Sequence, residues 1–433
     1  MFITEDKFLK VLFVLIPLSL SLSTFTAEIF SLIFTALVLS LIIRKKYFVH
    51  LDKNIFIFLS LFHIFIFMSA SLNTYPDLMF KGFGYARFLL LFFILIVFFN
   101  NNQNTKDNQI LKIIFILFFI ILLDAIIQFI NGKNILGFEI INNRVSGIFG
   151  DELILGSFVL RFLPILLWFM AYLNFDFKKN NLFIIILFFL SFFVIFVSGG
   201  RTSFFLTIFF IISLLIFLPY LRKKIIISLL LFFISILLIK SFNIGKTNPT
   251  NRIFLKTYNQ ITDHKFHNQK HNIAQEKNQK YNLYFFSKEY ENHYKLAIYL
   301  FKNNFVKGVG TRGFRSYCRE YGYDSKVGYC STHPHNTFLQ IASELGLIGV
   351  SFYLMCLIFF LNQCLQFLKK RDMLKKKEVF LISISISSVI INFFPLSPSS
   401  NFFGGWSSYF YYFTLAMFIF SISNLKHIKR NKF

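Results

Sequence analysis

Long apolar segments recur along almost the whole chain, and they restrict its fold more than any other feature. A run of about 20 mainly apolar residues can cross a bilayer as a helix. The chain of 433 residues contains 66 Phe and is 56% hydrophobic, which is more apolar surface than a soluble domain can cover. We therefore predict an all-α polytopic membrane protein with about twelve transmembrane helices. The predicted segments are 8–24, 25–43, 54–71, 85–99, 110–131, 151–174, 182–198, 202–220, 225–242, 336–365, 379–395 and 407–424.

Clusters of Lys and Arg follow the even-numbered segments and predict the orientation of the chain. Cytoplasmic loops carry an excess of these residues, so both termini are expected in the cytoplasm. This placement explains the net charge of +25 better than nucleic-acid binding does, and we expect no nucleic-acid partner. The clusters are 44–46, 178–179, 222–224, 369–371 with 375–377, and 426–432.

The same orientation divides the chain into three parts. Residues 1–242 carry helices one to nine, residues 243–334 form a large outer loop, and residues 335–433 carry the last three helices with a cytoplasmic tail. The outer loop is rich in Lys and Arg, although long loops translocate largely regardless of charge. Its basic character therefore indicates an anionic substrate or a lipid surface.

Charged residues also occur inside or at the ends of the predicted helices, where they are costly and often functional. Their predicted depth is the outer half or the middle of the bilayer, which indicates a polar cavity open to the outer leaflet. Arginines outnumber carboxylates there, and guanidinium binds phosphate well. The alternative is structural pairing, of Glu28 with Arg87 or of Asp124 with Arg161. The set comprises Glu28, Arg87, Asp124, Arg161, Arg201 and Glu344, with Arg144 and His335 beside helix ends.

His335 is the candidate general base. Its unperturbed pKa suits proton transfer near neutrality, and a helix N-terminus favours the neutral imidazole. The helix that begins near Asn336 carries one polar stripe, which continues through Gln340, Ser343 and Glu344. A structural or capping histidine is the alternative.

Three further patterns are weaker. Gly308 to Gly313 spells G-x-G-x-x-G, but without a βαβ context it predicts a turn and not a nucleotide site. Cys330, His333 and His335 lack a fourth zinc ligand, and we expect no metal. Cys318 and Cys330 both lie in the outer loop, where disulfides persist, and we predict that they are bonded. Cys356 and Cys364 are expected to pack inside the tenth helix.

Motifs from Asp124 onward resemble the bacterial O-antigen ligase and O-antigen polymerase superfamily. His335-Asn336, nine residues and then Gly346-Leu-Ile-Gly349 fit its H-[NSQ]-x9-G-x-x-G signature, and the run from Gly308 to Asn336 is similar to a ligase-like subgroup. Two more stretches match family positions in order: Asp124 and Gln128 followed by Arg144-Val-Ser-Gly-Ile-Phe, and Ser198-Gly-Gly-Arg201-Thr-Ser.

The resemblance implies a glycosyltransferase of the bacterial inner membrane with a periplasmic active site and no cofactor. Its donor would be a glycan on undecaprenyl diphosphate, and its acceptor would be lipid A-core or another glycan. O-antigen ligation is our first expectation, with an O-antigen polymerase or a protein O-oligosaccharyltransferase as alternatives. A flippase or transporter of lipid-linked sugars is the alternative from another class, and it should show related halves with broken helices.

The resemblance also implies roles for single residues. Arg201 corresponds to the arginine that binds the diphosphate, with Arg144 and Arg87 assisting and Arg161 lining the same cavity. His335 would accept the proton of the acceptor hydroxyl, and direct displacement would invert the anomeric carbon.

Two details of the implied site stay open. Asn336 or a nearby carboxylate would orient His335. Many family members carry an Arg before the Gly-x-Gly turn, where this chain has Tyr290 and His293. Arg312 and Arg315 follow the turn and are the remaining candidates for binding phosphate.

Overall fold

The computed structural model describes residues 5–71, 77–102, 108–262, 288–321 and 331–427. Within these ranges the protein is helical, without β-strands, and this confirms the predicted all-α class. The described helices are α1 Glu5–Ser19, α2 Thr24–Ile43, α3 Lys53–Ser71, α4 Asp77–Asn101, α5 Asn108–Asn131, α6 Leu155–Tyr172, α7 Asn181–Val197, α8 Arg201–Phe217, α9 Arg222–Ser241, α10 Lys256–Thr262, α11 Lys288–Asn303, α12 Gly313–Tyr321, α13 Thr337–Lys370, α14 Lys376–Phe393 and α15 Gly405–His427.

Each of the twelve predicted apolar segments coincides with one of these helices, α1 to α9 and α13 to α15. In the described residues, seven helices are long and apolar enough to cross a membrane, and α7 and α8 are shorter apolar helices. The protein is therefore a helical membrane protein, whereas the number of twelve crossings stays a prediction. The seven spans are Thr24–Ile43, Lys53–Ser71, Leu78–Asn101, Gln109–Asn131, Leu155–Tyr172, Pro219–Ser241 and Thr337–Met373.

Helix α4 begins at Asp77, eight residues before the predicted start at 85. Lys81, Gly82 and Gly84 lower the hydropathy of this first part, which hides it from a hydropathy criterion. The helix continues there because Gly82 permits close packing: a Cβ at this position would lie 2.7 Å from the Cβ of Ala70 on α3.

Helix α6 forms the centre of the bundle. It is almost completely enclosed, with 94% of its span buried, and it packs against α7, α8, α14 and α15. Trp168 of α6 donates from Nε1 to Ser421 Oγ of α15 at 2.9 Å, so its indole N–H is satisfied inside the core. In contrast, α2, α3, α9 and α13 present large apolar side chains outward, as helices that face lipid do.

Several connections meet at one end of the bundle, which we call the loop end. It comprises the described residues of 132–154, 198–200, 243–336 and 394–404. Arg252 donates from Nη1 to the Asn142 carbonyl at 3.2 Å, and the Ser399 amide donates to the His335 carbonyl at 2.9 Å. These contacts bring segments that are distant in sequence to one surface.

Helix α13 is broken at Gly346, where the backbone adopts φ 63° and ψ −158°. Only glycine adopts this conformation readily. The freed Leu347 amide donates to the Phe305 carbonyl at 2.7 Å, and the freed Ser343 and Glu344 carbonyls accept from Val309 and Gly310 at 2.9 and 2.8 Å. The segment 305–310 thus satisfies the groups that the break releases, as a low-dielectric environment requires.

Candidate functional site

A pocket of about 420 Å³ lies at the loop end, between α8, the segment 252–260, α11 and the segment 394–398. We call it the arginine pocket, because Arg144, Arg201 and Arg252 line it. The described residues that line it include no Asp or Glu. The other lining residues are Ser157, Gly199, Gly200, Thr202, Ser203, Phe205, Leu206, Phe209, Thr257, Gln260, Tyr290, Phe394, Leu396, Ser397 and Pro398.

The tight turn between α7 and α8 holds two of the arginines in place. Arg144 Nε donates to the Ser198 carbonyl at 3.2 Å, and Arg252 Nε donates to the Gly199 carbonyl at 3.1 Å. Gly199 has a φ of +63°, and a Cβ there would lie 2.8 Å from Arg252 Cδ. Glycine is therefore required at this position both for backbone conformation and for the approach of Arg252.

Arg201 begins α8 and donates from Nη1 to Gln260 Oε1 at 2.7 Å. Since the first amides of a helix have no intrahelical partner and carry partial positive charge, the start of α8 also favours an anion. The backbone amides and the Arg201 side chain therefore both favour the binding of an anion at this wall of the pocket.

The three guanidinium groups repel one another. Burial, followed by the charges of Arg252 and Arg201, lowers the pKa of Arg144 to about 10. Burial and the charge of Arg201 likewise lower the pKa of Arg252. Arginine nevertheless remains charged at neutral pH, and a bound anion would relieve this repulsion. The electrostatics of the pocket thus suit a polyanion such as diphosphate.

One edge of the arginine pocket is apolar. Phe205 and Phe209 are one turn apart on α8 and are 39% and 42% exposed, and the ring of Phe209 lies 5.0 Å from that of Phe394. Leu396 extends the same edge. A ligand with an anionic head and a hydrocarbon chain can therefore place each part against matching walls.

His335 lies beside this pocket, within a cluster of aromatic rings. Its ring centroid is 5.1 Å from Tyr290, 5.6 Å from His293 and 4.1 Å from His333. Tyr290 also lines the arginine pocket, so this side chain belongs both to the aromatic cluster and to the pocket wall. Tyr290 and His293 come from α11, which packs along α13.

The backbone and the protonation state of His335 are both unusual. Its φ is +57°, a region that costs a non-glycine residue roughly 1–2 kcal/mol and often marks functional sites. Burial, followed by the charge of His293, lowers the pKa of His335 to about 4. The imidazole is therefore neutral at neutral pH and can accept a proton, and the Ser331 hydroxyl lies 3.0 Å from its Nε2.

His333 and Asn336 have scaffolding contacts. His333 Nε2 donates to the Ser399 carbonyl at 3.2 Å, and burial lowers the pKa of His333 to about 3. Asn336 donates from Nδ2 to the Pro395 carbonyl at 2.8 Å and accepts the Leu339 amide at Oδ1. Both residues therefore fix the segment 395–399 against the start of α13.

Comparison with known proteins finds a similarity over part of the chain. A family model described as O-antigen ligase matches residues 186–354. Residues 186–354 are therefore similar to the O-antigen ligase family. No curated protein matches the chain. The matched region contains Arg201, Arg252, His335 and the break at Gly346, whereas Arg144 and the segment 394–398 lie outside it.

Two of the arginines predicted from the sequence bind other groups of the protein. Arg87 pairs with Glu28 at 2.8 Å, which is the structural pairing considered as the alternative. Arg312 donates from Nη2 and Nε to the Phe403 carbonyl at 2.6 and 3.1 Å. Neither lines the arginine pocket, and Arg315 is an exposed residue of α12.

Arg161 lies one turn below the pocket and does not line it. It is 5% exposed and donates from Nη1 to the carbonyl of Ser157 at 3.3 Å, while its Nε has no partner among the described residues. The alternative pair of Asp124 with Arg161 is not formed. Asp124 accepts instead from the Ile135 amide and the Asn134 side chain at 3.0 and 3.1 Å.

The G-x-G-x-x-G stretch binds an internal carboxylate. Glu344 is completely buried, and its carboxylate accepts the Arg312 amide at 2.9 Å, the Phe314 amide at 3.3 Å and Gln340 Nε2 at 3.2 Å. This confirms the stretch as a turn, and its free amides at the start of α12 are already satisfied by Glu344. The family glycines Gly308 and Gly346 meet at this crossing.

The cysteine and metal predictions are tested only in part. Cys318 is disulfide-bonded, but Cys330, its predicted partner, lies outside the described residues, so this pairing stays a prediction. Cys356 and Cys364 are free. Within the described ranges, no three His, Cys, Asp or Glu side chains are grouped so that they could hold a metal ion.

Arg252 is the pocket residue that the sequence did not reveal. It lies in a π-helical turn, Asn251–Leu255, inside a polar segment without apolar periodicity. π-Helical turns are rare and are frequently found at functional sites, but they leave no pattern in a single sequence. Gln260 was not predicted either, because it also lies in this polar segment.

Proposed function

We propose that this protein transfers a glycan from an undecaprenyl diphosphate carrier to an acceptor hydroxyl at the loop end. O-antigen ligation to lipid A-core is the reaction we favour. The observation that carries this proposal is the position of a neutral imidazole, His335, beside a pocket with three arginines. The similarity of residues 186–354 to the O-antigen ligase family supports the same class of reaction.

The arginine pocket would bind the diphosphate. Arg201, Arg144 and Arg252 supply forked donors that match phosphate oxygens, and the apolar edge at Phe205 and Phe209 would receive the first isoprene units. In this view Arg252 replaces the arginine that family members carry before the Gly-x-Gly turn, where this chain has Tyr290 and His293. The orientation predicted from the Lys and Arg clusters would put this pocket on the periplasmic side.

The proposed chemistry is a single displacement. His335 accepts the proton of the acceptor hydroxyl while the hydroxyl oxygen forms a bond to the anomeric carbon. The bond between that carbon and the diphosphate oxygen breaks, and undecaprenyl diphosphate leaves with the bonding electron pair. The arginines stabilise the charge that develops on the leaving group, and direct displacement inverts the anomeric configuration. No metal, nucleotide sugar or ATP takes part in this scheme.

The structure of α13 bears on the transporter alternative. Transporters use broken helices to expose backbone groups to a substrate or ion. The break at Gly346 differs, because the amide of Leu347 and the carbonyls of Ser343 and Glu344 are bonded to the segment 305–310. These groups are thus occupied by protein, which favours a scaffold for His335 over a transport site.

The acceptor separates the remaining alternatives. Loss of a ligase leaves long polymer on the lipid carrier, whereas loss of a polymerase leaves lipid A-core with a single repeat unit. A protein O-oligosaccharyltransferase would instead leave an unmodified protein. Analysis of glycolipids and glycoproteins from a deletion strain therefore distinguishes the three.

The proposal is tested directly with purified protein in lipid nanodiscs. The protein is supplied with polyprenyl-diphosphate glycan and a lipid A-core acceptor, without ATP, and the product is followed by mass spectrometry. We expect transfer with inversion at the anomeric carbon, loss of transfer in Arg201→Ala, and full transfer in Arg222→Ala, an arginine that lines neither the pocket nor its rim. Transfer that requires ATP, or no transfer from any diphosphate donor, would contradict the proposal.

A further inference from the structure

A second cavity, of about 870 Å³, shares the π-helical turn with the arginine pocket. Arg252 lines the arginine pocket, whereas Asn251, Phe254 and Leu255 line the second cavity. We call it the lysine cavity, because Lys240 and Lys246 are its charged lining residues. Nothing in the proposed glycan transfer uses it.

The walls of the lysine cavity change from apolar to polar. Phe196 at the end of α7 and Ile236 and Ile239 near the end of α9 form an apolar part. The segment 243–251 forms the polar part and contributes three asparagines. Asn143 is the fourth asparagine that lines the cavity. The described lining contains no Asp or Glu, so the two lysines give the cavity a positive charge.

Three polar groups of the cavity have no partner. Lys240 and Lys246 form no salt bridge with a described acidic residue, and the Thr247 hydroxyl is buried without a hydrogen-bond partner among the described residues. The backbone of Lys246 is nevertheless fixed, because its amide donates to the Phe129 carbonyl at 2.8 Å. The two lysines are exposed, whereas a buried hydroxyl normally has a partner, and an oxygen-bearing, anionic ligand in this cavity could bind all three groups.

Ordinary explanations cover the two lysines but not the rest of the cavity. Lys240 lies in the last turn of α9, where a cation interacts favourably with the helix dipole and can extend to the membrane interface. Lys246 is exposed and can be hydrated by water. Neither explanation covers the buried Thr247 hydroxyl or the apolar wall. A free phosphate ion would match the lysines but would make no contact with the apolar wall. A glycan would also leave the apolar wall without a matching group.

We propose that the lysine cavity binds a phospholipid with an anionic headgroup from the leaflet that faces the loop end. Its phosphate would contact Lys240, Lys246 and Thr247, and one acyl chain would lie against Phe196, Ile236 and Ile239. Basic pockets between the ends of membrane helices bind such headgroups. The bound lipid would also pack against the π-helical turn and thereby brace Arg252. Lipid binding itself does not depend on the proposed glycan transfer.

Lipid titration of the purified full-length protein tests this site. The protein in detergent is titrated with phosphatidylglycerol and, separately, with phosphatidylcholine, and bound lipid is counted by native mass spectrometry. We expect tighter binding of phosphatidylglycerol and a loss of roughly 10–30-fold in Lys240→Gln/Lys246→Gln, since each surface lysine contributes about fivefold. Lys240→Arg/Lys246→Arg, which keeps the charge, should retain binding.

The matched control is Lys133→Gln/Lys256→Gln, which removes the same charge from exposed lysines of the loop end that line neither cavity. We expect it to bind phosphatidylglycerol like the unaltered protein. Three results would overturn the proposal: equal affinity for the two lipids, equal losses in both double variants, or displacement of the lipid by millimolar inorganic phosphate. The last result would assign the cavity to a free phosphate ion.

Discussion

The ring of Tyr290 lies 5.1 Å from the ring of His335, and the same tyrosine lines the pocket that contains Arg144, Arg201 and Arg252. This relationship joins the two halves of the proposed chemistry. His335, the proposed base, lies at the start of α13. The anion site is formed by the turn before α8 and by the π-helical turn, and Tyr290 of α11 contacts both regions.

Arg252→Ala should weaken binding of the donor. The substitution removes a charged donor from the arginine pocket, and a hydrogen bond to a charged group is worth roughly 1.5–3 kcal/mol, or about 10–100-fold in Kd. Binding of a fluorescent polyprenyl diphosphate to the purified protein measures this change. Lys256→Ala, nearby in sequence but outside the pocket, is the control. Equal affinities of Arg252→Ala and the unaltered protein would remove Arg252 from the site.

The acid limb of the pH–rate profile should lie near pH 4 for kcat/KM. His335 acts as a base only when it is neutral, and its pKa is lowered to about 4, so activity is lost as the pH falls through that value. The limb for kcat should lie at higher pH, because bound diphosphate stabilises the imidazolium. His293→Gln should move the kcat/KM limb upward, since it removes a positive neighbour. A kcat/KM limb near 6.5 in the unaltered protein would contradict the buried environment of His335.

Gly346→Ala should destabilise the protein by several kcal/mol, because backbone strain and a steric clash both oppose a side chain at this position. The residue has a positive φ, and a Cβ would lie 2.5 Å from the Val306 carbonyl oxygen. Thermal unfolding of the purified protein measures the loss as a lower Tm. Gly405→Ala is the matched control, because the nearest atoms to a Cβ there are 3.9 Å away. If neither Gly346→Ala nor Gly405→Ala lowered the Tm, the break in α13 at Gly346 would not be needed for stability.

Glu344→Gln should lower the stability of the loop end by about 1–3 kcal/mol. The carboxylate accepts the Arg312 amide at one oxygen and the Phe314 amide at the other. Gln offers a single acceptor oxygen and turns an N–H₂ group toward the second amide. Hydrogen exchange of the segment 310–316 should therefore speed up, whereas Glu139→Gln, an exposed residue paired with Lys133, should leave it unchanged. Unaltered exchange in Glu344→Gln would mean that the carboxylate does not hold this turn.

The sequence predicted the scaffold well because hydropathy is a local property. Each apolar segment forms a helix, and the spacing of His335, Gly346 and Gly349 in the sequence is enough to indicate the resemblance to the O-antigen ligase family. Arg144 and Arg201 were also predicted to share one site, and they line one pocket. These features depend on residues that are close in sequence or on a motif of fixed spacing.

Other parts of the site depend on contacts that no spacing encodes. Arg87 and Arg201 both lie near the starts of predicted apolar segments, and only the structure shows that Glu28 pairs with the first and Gln260 contacts the second. Arg252 is hidden in a polar segment, and its role depends on Gly199, which is distant in sequence. The sequence does not reveal the break at Gly346, because the break depends on hydrogen bonds to the distant segment 305–310.

The rate of glycan transfer by His335→Ala tests the central claim most directly. The variant and the unaltered protein are compared in nanodiscs at pH 7, with saturating polyprenyl-diphosphate glycan and acceptor and without ATP, after donor binding has been shown to be equal. A general base contributes roughly 10²–10⁴-fold, so we expect kcat to fall by about that factor while Kd for the donor stays unchanged. Transfer by His335→Ala at the full rate would contradict the assignment of His335 as the base.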